Sequence, residues 1–514
     1  MSWLPALLGG RAADDDGIRS EDDIYPLHFL DHTTVQETIV VWTMRFNDVL
    51  DPDMLRASLA NVLEQGDWRK LGGRLRKKGS RYQLHVPPSF TEERPALNFS
   101  KEIFDMSIEQ HPLGCQLPKK TDRPSLLADP DIFVPLHGLP DTPTTFHEYV
   151  KKGLPPISVH VAAFSDATLV SFSWIHIVMD AGGVEALLRA WTLSIHARTA
   201  EIPALEGAKD DFAQRVRDPI YDEGAEESLL GKSRLSMFAS ALFAMHFIWD
   251  LLFGPKMILR NVFLPKTAVD KLRRQAEDDL GTLVVEHEGD GPGSKGEVRG
   301  HISTGDILIA WIVGLMASAL PAPRPITALS AVDLRDRLPK SMGAPSSTSS
   351  SALVQNLAFP AMTPLTAPQA ASFSLGEIAL TNRRRFMAQL TSAQAVAGLR
   401  LALGVERLGV GGMMVLGESN TLLALFSNWT KNQFCRIVDF SPAVVRTGTP
   451  SAARKNPPGT ILNHYQTMRN RVHMLRNVVL ILGTDHENNY WLNVFLDART
   501  LSRMEESLRK LSKG

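Results

Sequence analysis

Cysteine is almost absent from this chain. Cys115 and Cys435 are the only two in 514 residues, which excludes a disulfide framework. Neither has the neighbours of a zinc site or of an activated nucleophile, so both read as unpaired structural residues of a reducing compartment. Net charge is equally sparse, −1 with a pI near 7. No global basic field exists to hold nucleic acid, and an anionic ligand must be met by a local cluster. The opening stretch, MSWLPALLGGRAADDDG, lacks the basic n-region and long apolar core of a signal peptide, so the expected location is cytoplasmic. Several signatures are missing as well. There is no Gly-x-Ser-x-Gly, no Walker or dinucleotide glycine fingerprint on a strand-to-helix turn, no His-Glu-x-x-His and no Cys/His cluster. Nothing therefore points to a serine nucleophile, nucleotide hydrolysis, hydride transfer, a metal site or a tightly bound cofactor.

The longest apolar run is Leu235 to Phe253. It is long enough to span a bilayer, but His246 and Asp250 fall inside it and Gly254-Pro255 ends it abruptly. A buried or lid helix is expected there. A helix on a membrane surface, giving weak membrane association, and a true span are the alternatives.

The composition is otherwise that of an ordinary globular protein, 44% hydrophobic and 22% charged. At this length one core is not enough, so two domains are expected. Residues 25 to 90 pattern as strand (38 to 46), helix and strand (82 to 86), followed by proline-rich loop material over 87 to 157 and, after the segment holding His176, a linker over 199 to 234. A strand at 261 to 264 and a helix at 266 to 278 open the second half. Helices are then expected from Ser303 to Met316, over 375 to 401 and over 501 to 511. Strands at 478 to 482 and 491 to 496 pair across a turn at His486 to Asn489. The glycine-rich 287 to 300 and the serine run 346 to 352 read as flexible. The division follows as 1–200, a crossover with the apolar helix at 201–260, and 261–514, in an α/β fold.

The chemistry concentrates in Ser171 to Gly183, SFSWIHIVMDAGG. Val170, Phe172, Trp174 and His176 alternate on one strand face. Val184, Leu187, Leu188, Trp191 and Ile195 recur as one face of a helix, with Asp180 available as its N-cap. His176 thus stands at a strand-to-helix junction, where a neutral imidazole can act as a general base near pH 7. The spacing His-x-x-x-Asp is weak by itself, since roughly one occurrence is expected by chance. His137 with Asp141 lies in a proline-rich loop, and His246 with Asp250 lies one turn apart on the apolar helix. Only His176 has a strand before it, glycines after it and a helix beyond. The bland reading of His176 is a satisfied histidine at the edge of a core.

Further pieces are collinear with it: Leu27 to Asp31, Leu71 to Leu75, Ser303 to Asp306, Val332 to Arg337, Gln355-Asn356, Ser427-Asn428-Trp429 and Arg436 to Ser441. Together with His176 to Asp180 they make the chain resemble the BAHD superfamily of coenzyme-A-dependent acyltransferases, in its fungal trichothecene 3-O-acetyltransferase-like branch. The resemblance covers about residues 25 to 510. It departs in two places. Ala181 stands between Asp180 and the glycines, and Asp439-Phe440-Ser441-Pro442-Ala443 replaces the family's Asp-Phe-Gly-Trp-Gly.

The resemblance implies a two-domain chloramphenicol-acetyltransferase-like fold, each domain a mixed sheet flanked by helices, with the active-site channel at the interface. It implies acyl transfer from acyl-CoA as co-substrate to a hydroxyl or amine of a secondary metabolite, with His176 as base, no acyl-enzyme and a monomeric protein. Asp180, which a triad reading would set against the imidazole, is by resemblance a loop anchor paired with Arg335. Ser427, Asn428 and Trp429 become candidates to line the site or donate to the oxyanion, against a capping serine and a core tryptophan. Asn356 would support the site wall, and Asp439 would be architectural. Arg383 and Arg384, in the densest basic run, could meet the CoA phosphates or be a solvated helix face. Rival readings are acyl transfer from a carrier protein, which usually needs a second histidine where Ile175 stands, a base-assisted cyclisation or isomerisation of a metabolite, and a non-catalytic binding protein.

Overall fold

Twelve strands of the described residues build two main sheets: β1 (Ile39–Phe46), β2 (Asn98–Ile103), β3 (Ser125–Leu126), β4 (Ile157–Ala163), β5 (Thr168–Ile175), β6 (Met257–Leu264), β7 (Ile326–Asp333), β8 (Ala358–Leu365), β9 (Leu422–Asn428), β10 (Asn463–Arg469), β11 (Val478–Thr484) and β12 (Tyr490–Asp497). The principal helices are α1 (Pro52–Leu63), α2 (Ala181–Ile195), α3 (Met237–Phe253), α4 (Lys266–Leu280), α5 (Thr304–Ala319), α6 (Leu375–Gln389), α7 (Ser392–Arg407) and α8 (Ala498–Ser512). This computed structural model describes residues 19–32, 37–79, 81–218, 226–281, 301–339, 342, 351–407, 417–448, 454–469 and 475–513.

The first sheet runs β10-β1-β5-β4-β2. β1 and β5 are buried at every position, as central strands covered on both faces must be, and their Thr43 and Ser171 hydroxyls bond each other at 3.0 Å. α1 and α2 cover one face. Asp51 caps α1 by accepting from the Asp53 and Met54 amides, with Pro52 in the first turn, where its missing N–H costs nothing. The second sheet runs β8-β7-β9-β11-β12-β6-β3, with β7, β9 and β11 parallel and the outer pairs antiparallel. α5 lies on it under a Ser303/Asp306 capping box, beside α6 and α8. Each main sheet has its own apolar core. The expected two-domain architecture of mixed sheets flanked by helices is what is found.

Each sheet borrows a strand across the expected division of the chain. β10, from the second half, pairs with β1, and β3, from the first half, pairs with β6. The sheets also meet through Asn493 on β12, whose Oδ1 accepts from the Gln466 amide of β10 at 3.1 Å.

Several local expectations need correction. The stretch 87 to 157 is not all loop: it holds β2, parallel to β4, and a helix over Phe146–Lys152 with a Thr145/Glu148 capping box. An unexpected strand, Arg74–Lys78, pairs with Arg81–Val86. The helix expected over 375 to 401 is two, α6 and α7, parted at Leu390 and Thr391. The run 287 to 300 and residues 346 to 350 lie outside the described residues, as does the start of the chain to residue 18. Most consequential is α3, expected to be buried or a lid. It is largely exposed, and it packs beside Arg324 and Ser419, where β7 and β9 begin.

The altered acidic-aromatic segment keeps its architecture by another route. Phe440 is fully buried, stacked 5.6 Å from Phe46 and 4.7 Å from Trp191. Ser441–Ala443 forms a tight turn against Gly459, where a Cβ would stand 2.3 Å from the Ser441 nitrogen and φ is +75°. The glycine this packing needs is on the facing segment, so the turn tolerates Ser441, Pro442 and Ala443. Asp439 accepts from the Ser441 amide at 2.9 Å and pairs with His196 on α2 at 3.3 Å. The Phe440→Ala variant is expected to lose about 3–5 kcal/mol of unfolding free energy in urea titration. A loss near zero would show that the ring does not hold this segment to the core of the first sheet.

Candidate active site

β5 ends at Ile175, and His176 opens a single tight turn whose amide donates to the Thr38 carbonyl at 2.9 Å. The Trp174 indole donates to the Met179 carbonyl at 3.2 Å and closes the turn from the core side. The His176 Nδ1 is enclosed without a partner while the residue as a whole is only half-buried, so the open edge of the ring is its Nε2 side. Burial holds the imidazole below its usual 6.5, partly offset by its own backbone carbonyl and by the Asp180 charge. It is therefore neutral at pH 7, the form a base requires.

Asp180 does not bond the imidazole. Its Oδ1 accepts from the Gly183 amide at 3.0 Å and from Arg335 Nη2 at 2.9 Å; its Oδ2 accepts from the Leu357 amide at 2.8 Å and from Arg335 Nη1 at 3.1 Å. Carboxylate and guanidinium are both nearly inaccessible. Burial pushes the Asp180 carboxyl up, but Arg335 and the two amides outweigh it and hold it below the usual range. Arg335 is locked in turn by Asp333 and by the Leu353 and Gln355 carbonyls. A Cβ on Gly182 would lie 2.5 Å from Arg335 Nη1. The guanidinium thus needs glycine at 182, and Ala181, one residue earlier at the start of α2, leaves that glycine in place.

Asn356 stands behind the histidine. Its amide nitrogen donates to the His176 carbonyl at 2.9 Å and to Asp31 Oδ1 at 2.7 Å. Asp31 also accepts from the Asn356 and His28 amides, and burial raises its carboxyl. The fully buried Lys70 ammonium donates to the Val354 carbonyl, and burial presses it down to about 8 against the pull of Asp31 and Asp67. Asp31 and Lys70 were not singled out from sequence. The signal existed, since Asp31 ends one of the collinear pieces and Lys70 directly precedes another, but a buried charge gives no periodicity.

Ser427, Asn428 and Trp429 stand at the end of β9, beside the end of β7 from which Arg335 extends. The buried Trp429 indole is already committed to Ser427 Oγ at 2.9 Å. That leaves the Ser427 hydroxyl proton free to donate elsewhere. Asn428 is exposed and accepts from the Thr430 amide at 3.0 Å. The arginines divide: Arg383 is half-buried 3.9 Å from Asp306, and Arg384 is exposed on α6. The two decoy histidines are accounted for elsewhere. His137 is buried against the Tyr465 hydroxyl at 2.9 Å, and burial takes its pKa down to about 3. His246 meets the Ser419 carbonyl while Asp250 binds Arg324. Cys435 is buried, its thiol pushed up to about 12 by burial. Among the described residues no cluster of His, Cys, Asp or Glu could hold a metal ion.

No family model matches the chain. It is 34% identical over 504 residues to O-acetyltransferase PaAT-2 of Phomopsis amygdali, covering 95% of this chain and 98% of that protein. It is 32% identical over 497 residues to acetyltransferase pyiB of Pyricularia grisea, covering 95% and 94%. Among solved structures, F. graminearum TRI101 complexed with coenzyme A and T-2 mycotoxin matches with a TM-score of 0.63 at 15% identity, over 94% of this chain and 97% of that one. Vinorine synthase matches with a TM-score of 0.54 at 15% identity, over 96% and 95%.

Removing the guanidinium tests the pair. Arg335→Met leaves the Asp180 carboxylate buried without a cation and is expected to cost about 3–5 kcal/mol in urea unfolding at pH 7. In the wild type the Asp180 pKa is depressed, so the pair stabilises fully above the unfolded value of about 3.9 and is lost as pH falls through the lower folded value. The variant should instead gain stability on acidification, because protonation relieves its unpaired charge. Parallel pH profiles for the two proteins would refute the assignment.

Proposed function

Because this chain belongs to the BAHD acyltransferases, in the trichothecene 3-O-acetyltransferase-like branch, and is related over its full length to the acetyltransferases PaAT-2 and pyiB, we propose that it moves an acyl group, acetyl first among them, from a CoA thioester to a hydroxyl of a secondary metabolite. The observation that carries this reading is a neutral, half-open imidazole at the end of β5, held from behind and free of any carboxylate partner. That is the arrangement of a lone general base rather than of a triad.

His176 takes the acceptor's hydroxyl proton through Nε2 as the oxygen attacks the thioester carbon. Ser427, its oxygen already accepting from Trp429, donates its proton to the oxyanion that forms, with Asn428 beside it. Collapse expels the CoA thiolate, which takes the proton from the imidazolium, so the base is restored without an acyl-enzyme. Asp180, Arg335 and Asn356 position the histidine, and Asp439 is architectural, holding the turn at Ser441. Arg383 and Arg384 are the basic residues offered to the CoA phosphates, Arg384 being the freer of the two. TRI101 is seen with CoA and with acceptors such as T-2 mycotoxin and deoxynivalenol, which supports the choice of donor and acceptor class. We take the protein to act as a monomer on small molecules in the cytoplasm. Cyclisation without an acyl donor is not favoured, since the full-length relatives are named acetyltransferases.

Incubation with acetyl-CoA and a panel of hydroxylated metabolites should release free thiol in step with acetylated product. His176→Ala should lose about 10²–10⁴-fold in kcat/KM. The acid limb of the wild-type profile should have its midpoint below about 6.5, because burial depresses the imidazole and it stays unprotonated to lower pH. Turnover of a metabolite with no thiol released would replace acyl transfer by an isomerase reading.

A further inference from the structure

α3 is amphipathic with its faces reversed. Asp250 turns inward, taking Arg324 Nη1 and Nη2 at 3.1 and 2.7 Å, and the exposed His246, at the edge of the outward face, has its Nδ1 3.1 Å from the Ser419 carbonyl. Phe243 is its only fully buried residue. Outward stand Met237, Phe238, Met245, Ile248, Trp249, Leu252 and Phe253, each between 53% and 92% exposed. At 100° per residue these seven fall within one side of the helix, and no charged or hydrogen-bonding group interrupts them except the Trp249 indole. A continuous exposed apolar face of this kind marks a contact surface.

Three occupants are conceivable, and geometry separates them. A lid is excluded by position. Arg324 and Ser419 lie where β7 and β9 begin, whereas Arg335 and Ser427 lie at the other ends, about 25 Å away at 3.3 Å per residue. A second copy is disfavoured by the placement of charge, since whichever way two such helices pair, exposed Arg234 and Lys256 of one face the same cations of the other. Seventeen residues make a helix about 25 Å long. The helix is shorter than the roughly 30 Å hydrocarbon core, and no described helix is long and apolar enough to cross a membrane, so it would lie in the interface. Charge agrees. Exposed Arg234 precedes the helix, exposed Lys256 follows it and Arg476 bonds the Pro255 carbonyl. The acidic Asp250 is already paired with Arg324, and Glu227 with Lys232.

We propose that α3 docks the protein onto a phospholipid surface bearing anionic headgroups, with its Phe238 to Phe253 face in the acyl boundary and the flanking cations on the headgroups. The proposal is independent of the acyl-transfer reading. The full chain should co-sediment with vesicles of phosphatidylcholine and phosphatidylserine and at least tenfold less with phosphatidylcholine alone. The variant Trp249→Glu/Phe253→Glu, altered only at exposed positions, should lose at least tenfold in vesicle binding while keeping its thermal midpoint. Lys256→Glu/Arg234→Glu should lose binding to the anionic vesicles selectively. Absence of wild-type binding, or binding indifferent to Trp249→Glu/Phe253→Glu, would overturn the proposal. So would a wild-type dimer in light scattering that the same variant dissociates, since α3 would then be an interface between copies.

Discussion

The buried pair between Asp180 and Arg335 is the constraint on which the rest of the site depends. It joins the end of β5 to the end of β7, and therefore one sheet to the other, at the turn that presents the histidine. A buried ion pair is stabilising only when every remaining donor and acceptor is satisfied, because the cost of desolvating two charges is large. Here it is satisfied, with the Gly183 and Leu357 amides on the carboxylate and backbone carbonyls on the guanidinium. The position of His176 is thus set by interactions that none of its own ring atoms make.

A second layer stands behind the first. Asn356 and Asp31 form a buried hydrogen-bonded pair that ends on the His176 carbonyl, with the Lys70 ammonium in electrostatic reach of Asp31. Such networks rigidify when complete and are costly when broken. They also explain why short motifs scattered from Leu27 to Asn356 travel together: their charged and amide members converge on one turn, and each has little meaning alone.

The legible part of this protein was whatever obeys a period or a cap. β1, β5, α1, α2, α5 and the β11–β12 hairpin follow from alternation, helical spacing and residues such as Asp51 and Ser303. Placing the histidine at a strand-to-helix junction needed nothing more. What escaped was non-local. Arg74–Lys78, a highly charged strand, carries no apolar alternation to betray it. What Asn356 bonds is not legible in the sequence, because its partner is a backbone carbonyl 180 residues away. Composition shows that α3 is apolar but not which of its faces meets the rest of the protein. The substitution of glycines after Phe440 looked disruptive, since the compensating Gly459 sits on another segment.

The exchange of strands between the two sheets bears on how the protein comes to exist. β1 stays an edge strand until β10 arrives more than 400 residues later, and β3 has no partner until β6 is made about 130 residues after it. Contacts so distant in sequence are slow to form, because the loop entropy must be met before they reward it. A ribosome that has made the histidine, its turn and α2 has therefore not made a working half of an enzyme. It has made a sheet with an unpaired edge, which must be kept from pairing with other chains until the last tenth of the polypeptide is released.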